Sequence, residues 1–121
     1  MDRFDQETQA LRDQLNEVNT QWENRDIDPE TTEAGFQAVA DAHQALANEV
    51  AATTVPEPYG EVWPDTITLS LDLVTKTDAV IDGLNAPDDG TLRRQAVLDY
   101  NAAVDTFLAQ LATVRNVSPT G

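Results

Sequence analysis

A chain of 121 residues has the size of one domain, and its 40% hydrophobic content is enough to fold without covalent staples. The absence of cysteine excludes disulfides, thiolate metal sites and thiol catalysis. Twenty-two acids against seven bases give a net charge of −15, a field that repels phosphate backbones and anionic lipid, so nucleic acid is not an expected partner.

Only Lys76 is a lysine, and the aspartate-rich, lysine-poor balance looks like that of proteins from high-salt or high-GC organisms. Most such acids are simply solvated. The sharper reading is an acidic decoy or docking surface for a basic partner, which requires the acids to gather on one face. No stretch reaches the roughly 20 apolar residues that span a bilayer, so no membrane insertion is expected. The opening "MDRFDQET" lacks the basic and apolar regions of a signal peptide. The expectation is accordingly either an extracytoplasmic chain given without its leader or a cytoplasmic one.

In the first segment Phe4, Thr8, Leu11, Leu15, Val18 and Trp22 recur at alternating spacings of four and three, which predicts a helix over 3–24. The second helix, 29–52, opens with Asp28 as cap and Pro29 at the first helical position. Its stripe runs through Phe36, Val39, Ala40, His43, Leu46, Ala47 and Val50. Between this helix and the next lies "VPEPYGEVWPDT", with a short helical turn expected over 58–63. Tyr59 and Trp63 are placed there as a lid over the open end of the core, because Tyr and Trp mostly bury their apolar bodies. Were Trp63 exposed, the same loop would be the leading partner or ligand site.

The third segment begins ambiguously, since Ile67, Leu69, Leu71 and Leu73 alternate as a strand would. Length decides for a helix over 65–85, with Ile67, Leu71, Val74, Asp78, Ile81 and Leu84 on the inner face and Leu69, Leu73 and Val80 beside it. After the turn "NAPDDG" the last helix covers 91–116, on a stripe of Leu92, Ala96, Val97, Tyr100, Val104, Phe107, Leu111 and Val114. Together these segments predict one domain over 1–121: an all-α, antiparallel, up-down-up-down four-helix bundle.

From Trp22 onward the layout resembles small helical-bundle domains of bacterial lipoproteins and exported proteins. The features that carry the likeness are a tryptophan ending the first helix, the alanine-rich "AVADAHQALANEVAA", and the proline-bearing junction after it. The resemblance implies a bundle fold and an extracytoplasmic placement, and it implies no activity.

Chemistry has few footholds. With one histidine and no Glu three positions before it, neither a di-iron bundle nor a catalytic zinc site can be assembled. The calcium-loop-like stretches "DIDPETTEAGFQ" and "NAPDDGTLRRQA" lack obligatory ligands: Thr31 replaces the glycine and Gln37 the final glutamate in one, and Ala96 ends the other. Both read as helix caps, with the Asp88–Asp89 pair favoured by a helix start. No metal and no cofactor are expected. His43 lies near the level of Tyr100, with Asp78 as the stripe acid within reach, but no nucleophile motif accompanies them. The bland account is a buried histidine bonded to Tyr or Asp; the sharper one is a small interhelical ligand pocket. The resulting expectation is a non-enzymatic interaction or ligand-binding module, monomeric or weakly dimeric, with Tyr59, Trp63, His43, Tyr100 and Asp78 as candidate binding residues. An exported part of an envelope protein is one setting for it, and a small enzyme using His43 is the remaining alternative.

Overall fold

The computed structural model describes residues 2–53, 59–87 and 90–115, without the side chains of Asp2, Tyr59 and Arg115. These residues form α1 (Asp2–Glu23), α2 (Pro29–Ala52), a 3-10 turn (Tyr59–Glu61), α3 (Trp63–Asn85) and α4 (Thr91–Arg115). The fold is an all-α four-helix bundle.

Local chemistry sets the helix ends. Asp28 accepts the Thr31 backbone N–H at 2.7 Å and Pro29 opens α2, so the first turn is capped from both sequence and geometry. α1 closes with Arg25 N–H donating to Trp22 O (3.0 Å) and Asp26 N–H to Gln21 O (2.8 Å). That is the paired bonding of a Schellman stop, with Arg25 (φ 59°) in the left-handed position usually held by glycine. α3 starts at Trp63, two residues ahead of the expected Asp65, because Pro64 is accommodated within its first turn. The predicted capping by Asp88 and Asp89 lies outside the described residues.

Contacts between helices run in opposed numerical order. Arg3 meets Glu49 while Gly35 lies against Val18, and Arg12 meets Asp105 while Arg93 reaches Glu23. Trp63 bonds Val50 while Asn85 bonds Glu33, and Thr66 meets Gln110 while Gly83 touches Arg93. The core is a column of Phe4, Leu15, Phe36, Val39, Leu46, Val50, Leu73, Val80, Tyr100, Val104, Phe107 and Leu111.

Two faces differ from the sequence reading. α3 buries Trp63, Thr66, Ser70, Leu73, Thr77, Val80 and Gly83, so the stripe is rotated from the one predicted through Leu71 and Asp78. Leu71 is 47% exposed and Asp78 is exposed. The hydroxyls tolerate burial because each bonds a carbonyl of its own helix: Thr66 to Val62 (3.1 Å), Ser70 to Ile67 (2.7 Å) and Thr77 to Leu73 (2.8 Å). On α4, Leu92 is 58% exposed and Arg93 takes the inward position at 3%. The cause is the contact at Gly83, where α3 lies against the Arg93 backbone, with the Arg93 guanidinium neutralised by Glu23 of α1.

Candidate functional site

His43 and Tyr100 meet in the middle of the core. His43 Nε2 and the Tyr100 hydroxyl are 2.7 Å apart, and the rings stand edge to face at 5.5 Å. Burial lowers the imidazole from 6.5 to about 4 and raises the phenol above its ordinary value. Both are therefore neutral at pH 7. Among the described residues neither His43 Nδ1 nor the buried Thr8 hydroxyl has a hydrogen-bond partner. His43 is 1% exposed, enclosed within the core. Asp78, the stripe acid placed within reach of the pair, is exposed on α3 and does not join it.

At the junction end, Trp63 is 4% exposed, so its role there is that of a buried lid. Its indole N–H donates to Val50 O at 3.0 Å, capping the end of α2, and its ring tilts against Phe4 at 6.4 Å. Gln110 adds a bond to Val62 O at 3.0 Å. Tyr59 lies in the 3-10 turn, and its side chain is outside the described residues.

The opposite end is built around Trp22, which is half-buried. The Schellman stop turns the chain back so that the Arg25 guanidinium stacks 4.1 Å from the Trp22 ring centroid. Trp22 and Leu84 separate two clefts. One, of about 170 Å³, is lined by Arg25, Gly90, Arg93 and Arg94 besides these two. The other, of about 300 Å³, is lined on its far side by Pro29, Glu30, Glu33 and Asn85. Glu23 accepts from Arg93 at 2.7 Å and from Arg94 at 3.0 Å, while Arg93 also donates to Asn19. The hydrogen bond from Arg94, then that from Arg93, hold the Glu23 carboxyl at about 2, well below 4.5.

Comparison with family models, with curated proteins and with solved structures finds no match. The geometry thus stands by itself. Among the described residues no group of three or more His, Asp or Glu side chains could hold a metal ion, and no helix is long and apolar enough to cross a membrane.

A third groove of about 350 Å³ runs between α1 and α2 over Ala10, Leu11, Ala42, Ala45 and Leu46. Its rim acids, Glu7 and Glu49, are both bonded by Arg3, at 3.1 and 2.8 Å. The residues that sequence reasoning missed are Arg25, Arg93 and Arg94. Their signal was present: "RR" is the only pair of adjacent bases in a strongly acidic chain, and "WENR" places a cation three residues after an aromatic.

Proposed function

We propose that this chain is a non-enzymatic binding module, and that its recognition face is the Trp22 end of the bundle. The opposed order of the interhelical contacts supports an antiparallel, up-down-up-down arrangement, which brings the α1–α2 and α3–α4 connections to that end. The observation that carries the reading is the contrast in burial. Trp63 is sealed, whereas Trp22 remains half-exposed between two clefts of about 170 and 300 Å³. An aromatic side chain with one wet face beside concave surface is a favourable anchor for a ligand.

The enzyme reading has less support, because His43 is enclosed and Asp78 is turned away from it. The decoy reading needs a one-sided acidic surface. Exposed acids stand instead on every helix, among them Asp13, Glu17, Asp41, Glu49, Asp65, Asp82, Asp99 and Asp105. An extracytoplasmic setting rests on the layout resemblance alone.

A fragment screen on the isotope-labelled chain, read by amide and indole shifts, tests the proposal. The expected hits perturb the Trp22 indole together with Leu84 and Asn85. Hits gathered instead on Ala10, Ala42 and Ala45 would transfer the function to the α1–α2 groove, and a screen with no saturable hit at the Trp22 end would remove the proposal.

A further inference from the structure

The arginine side of the Trp22 end carries a more specific reading, which rests on that end being the binding face. Three of the chain's seven basic residues line the smaller cleft, and no carboxylate side chain is among the lining residues described. Glu23 bonds two of them, and the described lining still carries more positive than negative charge in a chain of net charge −15. A Cβ built on Gly90 would lie 3.1 Å from an Arg93 guanidinium nitrogen and 3.4 Å from one of Arg94, so two cationic groups converge over one backbone position. Glu23 offsets their repulsion from the α1 side. Arg25 makes no ion pair among the described residues and is held over Trp22 by a backbone of φ 59° that glycine would adopt without strain.

The volume limits the ligand. About 170 Å³ falls below the roughly 300–1,000 Å³ of pockets that enclose drug-sized molecules. It suits one compact group, with any apolar remainder passing over Trp22 and Leu84 into the neighbouring cleft. Guanidinium donors match the planar or tetrahedral oxygens of carboxylate and phosphate better than any neutral group does.

We propose that the cleft between Trp22, Arg25 and Arg93 binds a small oxyanion, a carboxylate or a phosphate, through the guanidinium group of Arg25, with the buried Arg93 held in the cleft lining by Glu23 and Asn19. The apolar body of a carboxylate ligand rests on Trp22.

Calorimetric titration of the full chain at low salt tests this, with inorganic phosphate, benzoate and the neutral counterpart benzamide as probes and Trp22 fluorescence followed in parallel. At least one anion is expected to bind at a single saturable site and to perturb Trp22, while benzamide does not bind. Phosphate alone identifies a site for a free tetrahedral anion; benzoate alone identifies a carboxylate carrying an apolar body. Arg25→Gly is expected to weaken binding at least fivefold with a melting temperature unchanged or raised, and Arg12→Gln, on the remote α1–α4 face, to leave it unchanged. Absence of saturable binding by both anions, full affinity in Arg25→Gly, or equal loss in Arg12→Gln overturns the proposal. Benzamide binding as tightly as benzoate overturns the oxyanion assignment and leaves the Trp22 face standing. If the fragment screen also finds nothing at this end, the binding face itself is lost.

Discussion

Each end of the bundle carries one tryptophan, and the two are held in opposite ways. Trp63 follows a proline-rich junction, begins α3, and turns its indole inward to bond the Val50 carbonyl in the last turn of α2. Trp22 ends α1, stays half-buried, and is covered by the arginine two residues beyond its helix. The same side chain thus closes the core at one end and lines concave surface at the other. What differs is the partner: a backbone carbonyl and Phe4 for Trp63, a guanidinium for Trp22. A carbonyl and a ring fix a residue inside; a hydrated cation keeps its partner at the surface.

The broadest way to break that contrast is to truncate each tryptophan. Trp63→Ala removes a buried ring and its hydrogen bond, at a cost of about 3–5 kcal/mol typical of buried aromatic truncation. Trp22→Ala removes half-buried area and one cation–π contact and costs about 1–2 kcal/mol. Urea unfolding of the two variants measures both. Equal losses would mean that Trp22 is as structural as Trp63.

Sequence pattern already carried much of this architecture. The stripe of α2 was legible from Phe36 to Val50 because every buried position except Thr32, His43 and the alanines is strongly apolar, and period 3.6 then has one solution. The His43–Tyr100 pairing was legible because both residues fall on inner stripes at similar heights. The face of α3 was not. Its buried Thr66, Ser70 and Thr77 satisfy themselves on their own backbone, which no hydrophobicity pattern reports, while Leu71 is left outside. Arg93 misled for the related reason that its burial depends on Glu23 and Asn19, some 70 residues earlier in the chain, |i−j| being 70 and 74.

Acidity separates the middle of the bundle from the Trp22 end. The folded-state value of His43, about 4, lies below its ordinary 6.5. As pH falls from 6.5 towards 4 the unfolded chain takes up a proton that the folded chain refuses, so stability drops by up to about 3 kcal/mol across that window and levels off below it. Glu23 acts lower. Its folded value is about 2, so its contribution is complete above 4.5 and disappears as pH falls through 2. Stability measured against pH for the native chain, His43→Gln and Glu23→Gln should therefore lose slope in two separate windows. A native-minus-His43→Gln difference that is flat between pH 6.5 and 4 would mean that the imidazole is protonated inside the core.

Two glycines give the finest comparison. A Cβ on Gly35 would fall 2.9 and 3.1 Å from the Val18 side-chain methyls, which yield by a small rotation. A Cβ on Gly83 would fall 2.6 Å from Arg93 Cα and 2.7 Å from Arg93 N, and backbone yields only if α3 and α4 separate. Both substitutions gain about 1 kcal/mol of helix propensity. Overpacking costs roughly 1–3 kcal/mol, so Gly35→Ala is expected within about 0.5 kcal/mol of the native chain and Gly83→Ala to be destabilised by about 1–2 kcal/mol. The consequence reaches further than stability. Pushing Arg93 away from Gly83 shifts the guanidinium that holds Glu23 and lines the cleft beside Trp22, so Gly83→Ala should also change Trp22 emission while leaving Trp63 buried. Comparable stability for the two alanine variants, with unaltered Trp22 emission, would show that the close α3–α4 contact does not set the geometry of that end.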